Sequence, residues 1–403
     1  MQNTPRGIRP HIAIFGRRNV GKSSLINVLT DQDIALVSDT PGTTTDPVYK
    51  NMELLPFGPV VLIDTAGLDD VGNLGKMRIE ASNKVLKKTD LALVVLEPLA
   101  ELSDYEKELF LELKKNNTRF IALVNKCENA EIPESLKKSL LELGVSYLAV
   151  SAATGKNIDV LKAEKIQKAL VDYDSGTIIG DLVQPGQVVV LVVPIDLAAP
   201  KGRLILPQVQ TIRELLDTDA IAVVAKEREL RSALDALKEP PALVVTDSQA
   251  FLKVAADVPK DVSFTSFSVL FARYKGDLGA YLDGIRALKK FSGAEKILIA
   301  ESCTHHQMAD DIGKVKIPRW LRQNYGGGLQ FEFCQGVNFP ENLQDYDLVV
   351  QCGGCMNNRK AILSRIETCQ QAGVPITNYG ILIAHLHGVL PEAVKPFGLN
   401  MED

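Results

Sequence analysis

Short apolar runs recur along this chain, and most end abruptly in glycine, asparagine, cysteine or aspartate. His11-Ile-Ala-Ile-Phe15 is the first, followed by a loop and the helical run Leu25 to Leu29. Val60 to Asp64, Phe120 to Val124 and Tyr147 to Val150 repeat the strand pattern, and Lys162 to Leu170 reads as a closing helix. After Asp174-Ser-Gly, which reads as a linker, Gln187 to Pro194 is nearly all valine and leucine. Val209 to Leu216 is apolar at helical spacing, and Ala220 to Val224, Leu230 to Leu237 and Ala242 to Thr246 continue an alternation of strand and helix. The last third repeats it, with strands at Lys296 to Ala300, Leu348 to Val350 and Ile376 to Tyr379 and helices at Leu278 to Lys289 and Arg359 to Ala372. Runs apolar at every position belong to strands buried on both faces, and alternation with helices builds parallel sheets. The pattern predicts an α/β chain of three α/β domains, over residues 1–172, 178–265 and 266–403.

Composition agrees and narrows the class. A chain of 403 residues is too long for one ordinary core, and 46% hydrophobic with 24% charged residues fits a globular protein. No run approaches the length of a membrane span, and Met1 to Pro10 lacks an apolar signal core, so the expectation is a cytoplasmic protein without membrane contact. A net charge of -5 without a long basic run argues against nucleic acid as a partner. Six cysteines in a chain this size are not a disulfide framework. Cys127, Cys334 and Cys369 stand alone and read as small buried apolar residues.

The first domain carries a phosphate site. Gly16-Arg-Arg-Asn19-Val20-Gly21-Lys22-Ser23-Ser24 sits between a strand and a helix, the context a phosphate loop requires. Backbone N–H groups and the helix N-terminus cradle phosphates, Lys22 supplies a point charge, and Ser23 offers its hydroxyl to Mg²⁺. Gly42-Thr43-Thr44-Thr45-Asp46 lies where a switch threonine, Thr44, would close over Mg²⁺ and the γ-phosphate, although these residues also suit a plain turn. Asp64 ends a strand as a carboxylate for the metal shell, with Gly67 placed to give an N–H to the γ-phosphate. Asn125-Lys126-Cys-Glu128 is close to the guanine-reading Asn-Lys-x-Asp, and Ser151-Ala152 would back the guanine O6. In this order the elements resemble a translation-factor-class small GTPase that binds GTP. Glu128 is one methylene longer than the usual aspartate. Leu68 stands where Ras-like switches carry a water-orienting glutamine, and Asp69, Asp70 and Glu80 are weak substitutes, so intrinsic hydrolysis is expected to be slow.

The middle domain shows no catalytic constellation; Pro194 to Gly202 reads as a turn-rich connection, and assembly, such as a homodimer, is the expected role. In the last domain, one strand runs into Glu301-Ser-Cys303-Thr-His305-His306 and another into Gln351-Cys352-Gly-Gly-Cys355. Two strand ends thus deliver three cysteines and two histidines, a metal-binding set that by itself also fits a zinc knuckle or a redox dithiol. Between them, Pro318 to Arg322 and Tyr325 to Gly328 read as an irregular stretch whose glycines would let backbone approach the metal, with a flexible loop as the alternative.

A GTPase segment, an α/β connector and a terminal Cys-x-His … Cys-x-x-Cys domain together resemble the HydF family of FeFe-hydrogenase maturation GTPases, over essentially the whole chain. The resemblance implies a 4Fe-4S cluster on Cys303, Cys352 and Cys355, with His305 or an exchangeable position as fourth ligand. It also implies a scaffold and carrier that takes a di-iron subcluster from the radical-SAM maturases HydE and HydG and delivers it to the FeFe-hydrogenase apoprotein. Gln351 departs from a histidine the family often has before Cys-x-x-Cys; His385 and His387 read as structural, with a role beside the cluster as the alternative. The rival reading is a GTPase with a structural zinc on Cys303, His305, Cys352 and Cys355, acting in RNA modification or ribosome assembly. Asn19 and Gly-Thr-Thr are similar to the MnmE-related tRNA-modification GTPases, which implies K⁺ held by Asn19 in place of an arginine finger. GTP hydrolysis in matched KCl and NaCl should then be faster in KCl; equal rates would remove the potassium role.

Overall fold

The structure is a computed structural model that describes residues 7, 9–30, 47–54, 58–65, 84–99, 101–128, 131–171, 176–194, 204–302, 311–336, 339–340, 342–355 and 357–400. The chain forms two compact units, Met1–Asp174 and Ser175–Asp403. Among the described residues no helix is long and apolar enough to cross a membrane.

The first unit is a six-stranded sheet of β1 (His11–Phe15), β2 (Val48–Leu54), β3 (Gly58–Asp64), β4 (Leu91–Leu96), β5 (Arg119–Val124) and β6 (Tyr147–Ala149). Their order is β2-β3-β1-β4-β5-β6, with only the β2–β3 pair antiparallel. β1 and β4 are buried at every position, which is why they are apolar apart from His11 at the start of β1. The helix Asp104–Lys115 shows how local chemistry sets an element. Ser103 accepts the Glu106 N–H at 3.3 Å, and the Glu106 carboxylate accepts the Ser103 N–H at 2.7 Å, closing a capping box. Leu109, Phe110 and Leu113 then fall on the buried face at helical spacing, while Lys114 and Lys115 meet the negative end of the helix dipole.

The second unit holds two parallel four-stranded sheets. One contains β7 (Val188–Val192), β8 (Ile221–Ala225), β9 (Leu243–Thr246) and β10 (Phe264–Ser266) in the order β10-β9-β7-β8. The other contains β11 (Lys296–Glu301), β12 (Gln330–Gln335), β13 (Leu348–Gln351) and β14 (Ile376–Asn378) in the order β12-β11-β13-β14. A continuous core joins them, running from Val190 and Val244 through Val269 and Leu382 to Ile299 and Val349. The helix Tyr379–Leu386 is apolar on all sides because it is buried, and Gly380 lets it approach the helix Phe267–Lys275: a Cβ there would lie 2.4 Å from Ser268 Cβ.

The stretch expected to be irregular is mostly helical. Ile317–Tyr325 is an α-helix preceded by wide π turns at Ile312–Lys316. Lys316 donates to Asp311 O at 3.0 Å and Ile317 to Ile312 O, so the turn register changes just before Pro318, where a missing N–H does least harm. Gly326 then stops the helix at φ 123°. A Cβ on Gly326 would lie 2.9 Å from Gly293 Cα, and one on Gly328 would lie 2.6 Å from Gly293 O. Gly326 and Gly328 thus serve a close approach to the backbone of Gly293.

His385 and His387 lie at the end of the buried helix. His385 Nε2 meets Tyr325 Oη at 2.7 Å, and the His387 ring packs edge-on against Trp320. Burial holds both imidazoles below their ordinary value of 6.5, helped at His385 by the Lys289 charge. With folded values depressed, the unfolded chain binds protons that the folded chain refuses. The stabilisation is therefore complete above about pH 6.5 and is lost as pH falls through the folded values. Thermal melts should show a lower midpoint at acidic than at neutral pH, with a smaller drop in His385→Gln. An unchanged drop in the variant would place the acid sensitivity elsewhere.

Candidate functional site

Two sets of loops leave the carboxyl ends of parallel strands, where open sheets place their ligands. In the first unit the loop after β1 passes so close to β4 that a Cβ on Gly16 would lie 2.3 Å from Val95 O. Asn19 and Gly21 take positive φ of 64° and 95°, and a Cβ on Gly21 would lie 2.3 Å from Asn125 Nδ2. The helix Lys22–Thr30 begins there, with Val20 and Lys22 buried and Ser23 and Ser24 exposed. Lys22 Nζ donates to Gly16 O and, at 2.7 Å, to Arg17 O, curling its ammonium over the loop that a phosphate would fill.

Asn125 ties the loop after β1 to the loop after β6. Its Nδ2 donates to Val20 O at 2.8 Å, and its Oδ1 accepts the Ala152 N–H at 3.0 Å. One fully enclosed amide therefore links the ends of β1, β5 and β6. Lys126 sits at φ 62° and pairs with Glu97. Glu128, expected from the sequence to read the base, follows the end of β5. A hydrogen bond from Ser151 is the main influence holding its carboxyl below the usual range, followed by a backbone bond. Asp64 is buried at the end of β3, and Thr65 Oγ1 donates to Ile14 O at 2.6 Å, pinning β3 to β1. Thr44 and Gly67 lie outside the described residues. Glu106, which the sequence reading missed, is 1% exposed and pairs with Arg17 Nε at 3.1 Å, so one side chain caps a helix and anchors the phosphate loop.

The second set lies in the sheet of β11 and β13. Ala300 pairs with Gln351, and Cys352 N donates to Ala300 O at 2.9 Å, extending the ladder by one residue. Ser302 N then donates to Cys352 Sγ at 3.1 Å. Gly354 turns the loop at φ 61°, and a Cβ there would lie 2.4 Å from Ile362 Cδ1. Cys355 is exposed, and Asn358 caps the following helix Arg359–Gln371. Cys303 and His305 lie outside the described residues, and no group of three metal-ligating side chains comes together among the described ones.

Gln351 points into the core, fully buried, with Nε2 donating to Tyr281 Oη and Oε1 lacking a partner among the described residues. Cys127 and Cys369 are buried as expected, and burial pushes the Cys369 thiol up to about 12. Cys334 is only half-buried. It lies on β12 level with Ala300, and burial raises its thiol against a smaller lowering by Arg365.

Two cations near the Cys-Gly-Gly-Cys loop escaped the sequence reading. Lys275 is 2% exposed and donates to the carbonyls of Gly354 and Asn357 at 3.2 and 3.0 Å. Burial pulls its ammonium down to about 8 while the Cys355 and Cys352 sulfurs hold it up. Arg365, also buried, donates to Ser302 Oγ at 3.3 Å and to Gly336 O, and its guanidinium covers the Phe339 ring. Lys275 lies 79 residues from Gly354, so no local spacing signals the contact.

Comparison with known proteins matches three stretches of the chain. A family described as 50S ribosome-binding GTPase matches residues 11–126. Hydrogen maturase F dimerization domain matches 178–276, and Hydrogen maturase F tetramerization domain matches 279–396. The tRNA modification GTPase MnmE of Streptococcus mutans is 39% identical over 161 residues, 40% of this chain and 33% of that protein. GTPase Der of Nautilia profundicola is 34% identical over 165 residues, 39% of this chain and 36% of its own. The chain thus spans about a third of the length of the curated relatives it matches. Among solved structures, translation elongation factor SelB from Methanococcus maripaludis, in complex with a GTP analogue, aligns at 24% identity over 41% of this chain and 34% of its own, with a TM-score of 0.32.

The placement of Glu128 beside Ser151 makes its role measurable. Hydrogen bonds to charged groups contribute about 1.5–3 kcal/mol, so Glu128→Ala should weaken GDP binding roughly 10- to 100-fold. Inosine diphosphate lacks the base amino group; the native chain should prefer GDP over it, and the variant should not. A variant that keeps the preference would show that another group reads the base.

Proposed function

The chain belongs to the hydrogen maturase F family and is a GTPase, and from that premise we propose that it is a GTP-switched scaffold and carrier for an iron–sulfur assembly. Cys303, Cys352 and Cys355 are the proposed thiolate ligands of a 4Fe-4S cluster. The observation that carries this reading is the Ser302 N–H donating to Cys352 Sγ, because it brings the residue preceding Cys303 onto the Cys-Gly-Gly-Cys loop. The surroundings suit an anionic, sulfur-bound group: an N–H aimed at sulfur, a glycine turn, and the buried cations Lys275 and Arg365. Gln351 is engaged with Tyr281 inside the core, which leaves His305 or an exchangeable ligand for the fourth position. When bound, such a cluster would supply a coordination position open to an incoming metal fragment.

In the GTPase unit, Lys22, Ser23 and Asp64 are proposed to hold the phosphates and Mg²⁺, with Thr44 and Gly67 closing on the γ-phosphate. Asn125, Lys126, Glu128, Ser151 and Ala152 are proposed to hold the base. GTP then changes the affinity of the chain for its partners by ordering the switch loops, with no chemistry at the cysteines. HydE, HydG and the hydrogenase apoprotein are the proposed partners, and the di-iron subcluster is the cargo. Self-association is supported by the matched dimerization and tetramerization families. Within the former, β8 is an edge strand that exposes Ile221 at 51% and Val224 at 49%, a surface suited to a second copy.

Anaerobic purification followed by iron, sulfide and zinc analysis, with low-temperature EPR after reduction, tests the assignment. About four iron and four sulfide per chain are expected. Each of Cys303→Ala, Cys352→Ala and Cys355→Ala should lose them. One zinc without sulfide would overturn the scaffold reading in favour of a structural zinc.

A further inference from the structure

Lys275 is a charged residue with no local reason to be buried. It closes the helix Phe267–Lys275, whose other inward positions are Phe267, Val269, Leu270, Phe271 and Ala272. Its ammonium has three carbonyl acceptors, Gly354 O at 3.2 Å, Cys355 O at 3.5 Å and Asn357 O at 3.0 Å, all in one loop. No carboxylate lies within ion-pair range of it among the described residues. An apolar side chain would avoid the desolvation cost of burying a cation, and carbonyls offset that cost only in part.

The helix end that carries it is held on both sides. Arg273 forks onto Asp181 at 2.6 and 2.9 Å and also donates to the carbonyls of Thr177 and Ile178. Tyr274 O accepts Arg359 Nε at 2.9 Å. The ammonium therefore stands on a fixed post, and the loop folds around it. Arg365 reaches the same region from the helix after the loop, donating to the Ser302 hydroxyl, and it too has no carboxylate partner among the described residues. Two buried cations stand beside two sulfurs, and the buried carboxylate of this region, Glu301 at the end of β11, is engaged by Gln335 and Tyr379 rather than by either cation. Three thiolates outweigh the charge of an oxidised cubane core by one unit, and one-electron reduction adds another, so the two cations are of the sign such a cluster needs.

We propose that Lys275 is a positioning residue for Cys352 and Cys355, and that with Arg365 it supplies the buried positive charge that balances a thiolate-bound iron–sulfur cluster. The balancing role rests on the cluster reading given above; the positioning role does not. It makes the last helix turn of residues 267–275, which the dimerization family includes, a structural part of the cysteine site.

The test uses the full-length chain with Lys275→Met, which removes donor and charge, and Lys275→Gln, which keeps a donor without charge. In the metal-free protein, amide exchange across residues 353–357 should rise about tenfold in Lys275→Met, the scale of one lost charged hydrogen bond, and less in Lys275→Gln. After anaerobic reconstitution, both variants should lose iron to a chelator faster than the native chain. Their EPR-monitored reduction potentials should both lie more negative, because the missing charge no longer favours the reduced state. A purely structural lysine would alter exchange and leave the potential of Lys275→Gln unchanged, which would overturn the balancing role. Native exchange in both variants would overturn the positioning role. If the native chain takes up no iron and sulfide, the cluster reading and the balancing role fall together, while the exchange measurement still decides positioning. Should Lys275→Met fail to fold, Lys275→Gln carries each comparison.

Discussion

Parallel strands buried on both faces must be apolar throughout, so polar chemistry is pushed to their ends, and the carboxyl ends are where the loops of these sheets open. Both sites in this chain follow from that constraint. β1, β3, β5 and β6 end in the phosphate loop, Asp64, Asn125 and Ser151; β11 and β13 end in Ser302 and Cys352. The buried core beneath each set holds these ends in register, and hydrogen bonds between loops then fix distances that the strands alone would leave open. The packing of Val349 and Ile299, with the ladder bond from Cys352 N to Ala300 O, keeps Cys352 beside Ser302.

The two sites are fastened by different chemistry. In the GTPase unit the fastener is neutral: the Asn125 amide gives a donor to the loop after β1 and an acceptor to the backbone after β6. That suits a site whose occupant brings its own strong charge and whose lysine must be free to leave Gly16 and Arg17 for a phosphate. At the cysteine loop the fastener is charged and buried. Lys275 holds three carbonyls without a carboxylate partner among the described residues, an arrangement that suits an occupant of opposite charge. The same contrast runs through the relatives. The curated GTPases match the first unit, whereas the hydrogen maturase F families match residues 178–276 and 279–396, where the cysteines and both cations lie.

Local pattern was enough for most elements because it reflects local causes. The strand, glycine-rich loop and helix from His11 to Thr30 are legible since each needs a residue type at a fixed offset, and β7 and the Leu348–Val350 part of β13 are legible because burial on both faces leaves no polar residue to interrupt them. Edge strands are harder. β2 and β12 mix exposed polar positions with half-buried ones, and the helix Ile317–Tyr325 hides behind a proline that the preceding π turns accommodate.

By itself, then, the sequence determined the α/β class, the strand–glycine loop–helix of the GTPase unit, the Asn-Lys-x-Glu segment that follows β5 and the Cys-Gly-Gly-Cys loop that follows β13, all of which depend on neighbours within a few residues. Only the tertiary structure decided that Glu106 anchors Arg17, that Gln351 turns into the core toward Tyr281, and that Lys275 and Arg365 close on the cysteine loop. Each of these contacts joins residues far apart in the chain, and each buries a polar or charged group whose surroundings no local periodicity records. Burial of a charge is a property of everything packed around it, so it becomes visible only when the packing is.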